Sequence, residues 1–212
     1  AYPLATPGAR VQVRPTDDVA IRAAIFSGDP AGSDCNGGNP QVCNNNGLAF
    51  SFTGGALAIA EAELGVNQAK AAKALPGVYK IGFWYATADY NDVRFPTNHN
   101  GNFGLYGVVD QTIWQQGDTS LSVFTRAGVV PTDRNTVSFY IDGGVGLKGL
   151  LPHRADDTLT FGVAYEKISP DVIAFDRDSL SPVVHSNETV FEVSYAAQLA
   201  PCQFCPWEGK RL

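Results

Sequence analysis

Two glutamates, Glu61 and Glu63, come closest to a catalytic pair in this sequence. Alternate residues of a β-strand lie on the same face, so both carboxyl groups would point to one side of a strand. Glycoside hydrolysis uses two carboxyl groups, one as general acid and the other as base or nucleophile. Two acids at this spacing are also what a solvated strand face carries, and the sequence favours that simpler interpretation.

The four cysteines fall into two local pairs. Cys35 and Cys43 lie in the stretch 27–47, which is dense in glycine, asparagine and aspartate. We predict a disulfide between them, as in proteins of oxidising compartments, and two free thiols are the alternative. Cys202 and Cys205 form a CxxC motif near the end of the chain. No further Cys or His lies nearby to complete a zinc site, and no helical pattern follows, so we interpret this motif as incidental.

The other candidate motifs do not support cofactor or metal chemistry. The stretch 144–149 spells GxGxxG, but a dinucleotide site needs a helix there, and the surrounding pattern is that of a strand. His99, His153 and His185 fall in separate predicted connections. The net charge of −6 argues against nucleic-acid binding. We therefore predict no cofactor, no metal, no nucleic-acid partner and no enzymatic activity.

These residues lie mainly on long amphipathic strands or in the connections between them. Residues 137–148 show the pattern best, with Val, Phe, Ile, Val and Leu on one face and Ser, Tyr, Asp, Gly and Lys on the other. Strands of this length suit a tilted crossing of a bilayer. The same pattern predicts nine strands, at 10–14, 19–26, 48–66 (with a break near 53–55), 78–85, 103–115, 121–129, 137–148, 158–167 and 188–199.

The connections between these strands tend to alternate in length. The stretches 28–47, 89–102 and 169–187 are predicted to be long, whereas most of the others are short. Outer-membrane barrels have short turns on one side and long loops on the other, and soluble sandwiches show no such sidedness. No run approaches the roughly 18 apolar residues of a helical span. The chain contains no methionine and opens without a signal-peptide pattern, so we expect a mature product or a fragment.

In a barrel of this kind, the polar face of the strands lines the lumen. Charges of both signs on one wall suit neutral polar solutes, and an aromatic ring such as that of Trp84 can stack on a sugar. A solvated face without ligand preference is the alternative for each residue. The predicted lining residues are Arg10, Arg14, Arg22, Glu61, Lys80, Trp84, Asp110, Arg126, Asp142, Lys148, Glu188 and Glu192. Aromatic residues suited to interfacial girdles, or simply to β-strands, are Tyr79, Tyr85, Tyr106, Trp114, Tyr165 and Tyr195.

Several segments resemble the carbohydrate-selective porin family of the OprB type. The most specific are GLYGVVDQTIW at 104–114 and PTDRN at 131–135, and the others are 2–11, 25–30, 75–85, 148–157 and 186–189. The resemblance implies a sixteen-stranded barrel in the bacterial outer membrane that passes glucose and related sugars by facilitated diffusion. It leaves open whether the barrel forms a homotrimer. The family's length is about twice that of this chain, which looks like the C-terminal half. The likeness ends near Pro201, so we predict a partial barrel domain at 1–201 and a tail outside the family pattern at 202–212.

Three hypotheses follow, and the apolar face separates the first two. The first is an all-β, antiparallel, up-and-down transmembrane β-barrel that contributes about nine strands to a sugar porin. The second is a soluble β-rich carbohydrate-binding module, and the third is a small glycosidase. Apolar side chains that point outward from the sheet favour the porin, whereas side chains that converge on a closed core favour the soluble module. The positions to compare are Ile21, Phe139, Ile141, Phe161 and Phe191.

Overall fold

The computed structural model describes residues 6–31, 35, 39–44, 48, 51–52, 54–68 and 74–199. These residues form one nine-stranded sheet and two short helices. The strands are β1 (Gly8–Val13), β2 (Val19–Ser27), β3 (Ala56–Val66), β4 (Gly77–Asn91), β5 (Asn98–Gln116), β6 (Thr119–Val129), β7 (Val137–Lys148), β8 (Thr158–Ile168) and β9 (Glu188–Ala196). The helices are α1 (Pro40–Cys43) and α2 (Pro170–Asp178).

The strands follow one another in the sheet in chain order, and each pairs antiparallel with the next. This is the up-and-down arrangement that the alternating pattern predicts, and the all-β antiparallel fold class is confirmed. Within the described residues the sheet is not closed, because β1 and β9 each pair on one side only. No helix in this part of the chain is long and apolar enough to cross a membrane.

The long connection predicted at 89–102 is wrong. There β4 and β5 continue to pair as far as Asn91 and Asn98, and only residues 92–97 join them. The error arose because this part of the hairpin is polar on both faces and therefore lacks the alternation that marks the other strands. The strand predicted from residue 48 begins at Ala56, after Gly54 and Gly55, which have φ angles of 77° and 84° and break the extended chain.

The strand ends form two unlike rims of the sheet, which are distinct from its edge strands β1 and β9. Connections 14–18, 67–76, 117–118 and 149–157 lie at one edge, which we call the turn edge. Connections 28–55, 92–97, 130–136 and 169–187 lie at the opposite edge, which we call the loop edge. The two longest connections are both at the loop edge, as the predicted sidedness requires. The alternation in length is incomplete, since 130–136 is shorter than 149–157.

The apolar side chains do not converge on a closed core. Ile21, Ile141, Phe161 and Phe191 are 49%, 39%, 43% and 80% exposed, respectively, whereas Phe139 is half-buried. Cross-strand pairing places them on the same face of the sheet. Apolar surface left in water costs roughly 25 cal/mol per Å², so a whole face of this kind needs a non-aqueous neighbour. The exposed apolar face favours the first hypothesis over the soluble module.

Candidate functional site

The register of the sheet brings the predicted lining residues onto one face. Residues paired directly across antiparallel strands point to the same side, and the pairs Arg22↔Glu61, Glu63↔Lys80 and Arg126↔Asp142 follow this rule. Arg14 is the exception, because it lies in the turn after β1. The other predicted lining residues share this polar face: Arg10, Arg22, Glu61, Lys80, Trp84, Asp110, Arg126, Asp142, Lys148, Glu188 and Glu192.

Arg22 is the centre of a charged network on the polar face. Its Nη1 donates to Glu61 Oε1 at 2.9 Å and to Glu63 Oε2 at 2.8 Å, and its Nη2 donates to Glu63 Oε1 at 3.1 Å. Lys80 Nζ lies 3.2 Å from Glu63 Oε2. The Tyr106 hydroxyl donates to Glu61 Oε2 at 2.9 Å. Both carboxylates are bonded to the same guanidinium, so they form one ion-paired network and not the separate acid and base that a glycosidase requires.

A second, smaller network lies on β6 and β7. Arg126 donates from Nε to Asp142 Oδ1 at 3.0 Å, and its Nη2 lies 2.9 Å from Asp142 Oδ2. The Tyr140 hydroxyl donates to the same Asp142 Oδ2 at 2.7 Å. Such a two-pronged contact holds a guanidinium in a defined plane. The predicted lining set omits Tyr140, Glu63 and Gln12. The sequence pattern nevertheless places Glu63 on the face of Glu61, and Tyr140 on the face of Asp142.

Aromatic rings on the polar face lie across glycines of the neighbouring strand. A Cβ atom at Gly82 would overlap the Tyr106 ring, and one at Gly104 would lie 2.5 Å from Trp84 Nε1. The Phe124 ring lies over Gly144 in the same way. Because glycine leaves this space, the rings can lie against the wall instead of projecting from it.

Two depressions lie on this face. The larger, of about 560 Å³, contains Trp84, Phe26, Ile59 and Tyr90 near the loop edge and is mainly apolar. The smaller, of about 250 Å³, contains Arg126, Asp142, Thr160 and Glu192 and is more polar. Aromatic rings bind the apolar faces of sugar rings, whereas carboxylates and guanidinium groups bind their hydroxyls.

The opposite face is apolar and carries aromatic residues near both edges. Tyr79, Trp114 and Tyr195 are near the turn edge, and Tyr85 and Tyr165 are nearer the loop edge. Tyr79 and Tyr85 are six residues apart on β4, or about 20 Å along the strand. Transmembrane barrels place aromatic girdles at the two borders of an apolar band about 25 Å tall. Tyr106, also considered for a girdle, is instead on the polar face.

At the loop edge, Cys35 and Cys43 are joined by a disulfide, which confirms the prediction. Their Cα atoms are 5.6 Å apart, and α1 supplies Cys43. Cys202 and Cys205, together with the predicted tail at 202–212, lie outside the described residues. The GxGxxG stretch lies at the end of β7 and opens no helix. In the described part of the chain, no group of three His, Cys, Asp or Glu residues is placed to hold a metal ion.

Three connections at the loop edge pack against one another. The Val93 amide donates to the Asp133 carbonyl at 2.8 Å, and Arg94 donates to Asp178 Oδ2 at 2.8 Å and 3.0 Å. The Thr132 hydroxyl donates to Asp171 Oδ2 at 2.6 Å. The tip of the β4–β5 hairpin, the β6–β7 loop and α2 thus form one cluster.

Asp92, at the hairpin tip, is expected to make this cluster sensitive to acid. A hydrogen bond from the His99 ring, together with those from the Phe95 and Arg94 amides, lowers the pKa of Asp92 from 3.8 to about 2. A carboxylate with a lowered pKa contributes stability above its unfolded pKa and loses it as the pH falls through the folded pKa. Hairpin order should therefore persist at pH 4 and be lost towards pH 2. An NMR titration of the Asp92 carboxyl carbon checks this. A midpoint near 4, or unchanged pH dependence in Asp92→Asn, would contradict it.

A profile of the family described as "Carbohydrate-selective porin, OprB family" matches residues 1–204. Porin B of Pseudomonas aeruginosa is 31% identical over 143 residues, which cover 60% of this chain and 32% of that protein. A structure described as the high pH structure of Pseudomonas putida OprB superposes with a TM-score of 0.73 and 24% identity. That match covers 89% of this chain and 49% of the other.

These comparisons differ in what they establish. The match over residues 1–204 shows the family, whereas the structural similarity, at 24% identity, shows the fold alone. The matched part is about a third of the length of Porin B and about half of the length of the solved structure. Porins are channels, which agrees with the prediction that the chain is not an enzyme.

Proposed function

The chain belongs to the carbohydrate-selective porin family of the OprB type, and on this premise we propose that its nine strands form part of the wall of a pore for neutral monosaccharides. The pore lies in the bacterial outer membrane and passes glucose and similar sugars by facilitated diffusion. The observation that carries the proposal is the division of the sheet into one face that carries the charged networks and an apolar face with aromatic residues near both edges.

The charge pattern of the polar face supports a neutral solute. Arg22 is neutralised by Glu61 and Glu63, and Arg126 by Asp142. Paired charges of opposite sign attract ions of either sign weakly, but their remaining lone pairs and protons bind hydroxyl groups. Facilitated diffusion needs binding that is favourable enough for entry and weak enough for exit. The paired charges at Arg22 and Arg126 meet both requirements for a sugar.

The aromatic depression beside Trp84 supports a sugar more specifically. Trp84 lies against Gly104, and Phe26 and Tyr90 line the same depression of about 560 Å³. A pyranose ring has apolar C–H faces, which stack on aromatic rings, and hydroxyls at its edge. The sugar would therefore stack here and exchange hydrogen bonds with the charged networks as it moves along the wall.

The soluble carbohydrate-binding module is the alternative, and the apolar face argues against it. A soluble β-sandwich covers such a face with a second sheet. The described residues form one sheet, and side chains such as Ile81 and Phe191 on its apolar face are 65% and 80% exposed. Lipid is the neighbour that suits a face of this composition.

Sugar flux is the test of the proposed function. The complete barrel that contains these strands, incorporated into liposomes, should give glucose-driven swelling well above that of empty vesicles. Trp84→Ala should slow glucose entry at low sugar concentration by about fivefold, because stacking on an aromatic ring contributes roughly 1 kcal/mol. Trp114→Ala, on the apolar face, is the matched control and should leave the rate unchanged. Swelling no faster than that of empty vesicles would refute the proposal.

Three parts of the proposal concern the complete protein. We propose that this chain is a fragment of a sixteen-stranded barrel, since the matched relatives extend well beyond it. The division into a barrel domain at 1–201 and a separate tail at 202–212 stays a prediction. So does the homotrimer, and no described contact bears on either.

A further inference from the structure

Helix α2 is anchored firmly at its N-terminal end. Ser169, the residue before the helix, is fully buried. Its amide donates to the Thr136 carbonyl at 2.8 Å, and its hydroxyl donates to the Asn135 carbonyl. One residue into the helix, Asp171 accepts a hydrogen bond from Thr132 at 2.6 Å. The start of α2 is therefore fixed to the β6–β7 loop.

The C-terminal end of α2 is held differently. Arg94 of the hairpin tip donates from Nε and Nη2 to Asp178 Oδ2 at 3.0 Å and 2.8 Å, and the two side chains are 33% and 61% exposed. Within the described residues, the other hydrogen bonds of 175–185 stay inside the 169–187 connection, as in the His185–Asp176 contact at 2.7 Å. Helix α2 is thus fixed at its N-terminal end and held at its C-terminal end by one exposed ion pair. Breaking this pair would let the helix pivot about its N-terminal end.

Helix α2 lies where the polar face meets the loop edge. Asn102 is on the polar face but is only 3% exposed, because the β6–β7 loop covers it and Asn135 exchanges hydrogen bonds with it. The start of α2 is anchored on the same loop, so this loop connects α2 to the polar face of the sheet. Movement of α2 would therefore change the opening above the polar face.

We propose that α2 is a hinged cap at the mouth of the pore, that the Arg94–Asp178 ion pair holds it closed, and that the closed cap screens solutes by size. This inference rests on the proposed function. An exposed ion pair is weak and is screened by salt, so the cap opens often at low salt and more often at high salt. Glucose passes in either state, and larger sugars pass mainly when the pair is broken.

A charge exchange in the complete barrel tests the cap. Arg94→Glu or Asp178→Arg alone places like charges together, whereas the double variant restores an ion pair of reversed polarity. Each single variant should increase amide hydrogen exchange over 175–181. It should also raise the ratio of trisaccharide to glucose swelling rates by about threefold, the change expected for the loss of one exposed pair. The double variant should restore both values. Arg177→Glu makes the same charge change as Arg94→Glu, from +1 to −1, at a residue outside the pair, and should alter neither.

The outcomes separate the parts of the inference. Unchanged hydrogen exchange in both single variants would overturn the ion pair as the element that holds α2. Faster exchange with an unchanged ratio of swelling rates would overturn the screening of solutes by size. An absence of sugar flux in the unmodified barrel would refute the proposed function instead, and the exchange measurements would still decide whether the pair holds the helix.

Discussion

Arg22→Gln is expected to lower the free energy of unfolding of the barrel by about 2 kcal/mol. Arg22 donates to both Glu61 and Glu63, and these carboxylates are only 18% and 20% exposed. Without the guanidinium, two like charges on one strand face keep only Lys80 and the Tyr106 hydroxyl as partners. The variant also loses the bond from Arg22 Nε to Gln12 Oε1 at 3.1 Å. Glutamine can replace only part of these four lost hydrogen bonds and cannot neutralise either acid. Urea unfolding of the barrel in lipid vesicles measures the effect.

Two further variants distinguish this network from a general effect of lost charge. Arg10→Gln removes an arginine on the same face whose described hydrogen bond is to Gln12 Oε1 alone, and it should change stability by less than about 0.5 kcal/mol. Adding Glu63→Gln to Arg22→Gln removes the repulsion between the two acids and should recover part of the loss. Equal effects of the Arg10 and Arg22 variants would show that the network contributes nothing specific.

The strands were the most predictable part of the structure. The strand predicted at 137–148 has the same bounds in the sheet, because one face of it meets apolar surroundings and the other does not. The outer part of the β4–β5 hairpin was missed because it is polar on both sides. Helix α2 was assigned to a long connection, although Ser169 followed by Pro170 is a recognised helix start.

The lining residues were predictable as a set, but their partners were not. Strand parity assigns Arg22 and Glu61 to a polar face from the sequence alone. That they are bonded to each other depends on the register of β2 against β3, and the two residues are 39 positions apart. The Arg94–Asp178 contact spans 84 positions and joins two connections whose paths no periodicity describes. Parity also assigned Arg14 to the lining set, because it does not show where β1 ends.

Val145→Arg and Gly146→Arg are expected to differ sharply, although the two positions are adjacent. Val145 pairs with Val123 and Phe161 on the apolar face, whereas Gly146 pairs with Ser122 and Thr160 on the polar face. An arginine on the lipid face near the bilayer midplane costs about 2–4 kcal/mol in a transmembrane barrel. A side chain added at Gly146 enters open space, since a Cβ there meets no atom within 4 Å. Its cost should remain near 0.5 kcal/mol.

Comparing Val145→Arg with Gly146→Arg tests the orientation of the whole sheet, because the strand register places the apolar side chains of all strands on one face and the polar side chains on the other. Urea unfolding of both variants in the complete barrel, refolded into vesicles, gives the two free energies. A larger cost at Gly146 than at Val145 would mean that the apolar face is turned away from lipid. Equal costs would mean that neither face meets a bilayer. A larger cost at Val145 would mean that the apolar face meets lipid. The polar face, with Arg22, Trp84 and Asp142, would then face the lumen, as a sugar-conducting wall requires.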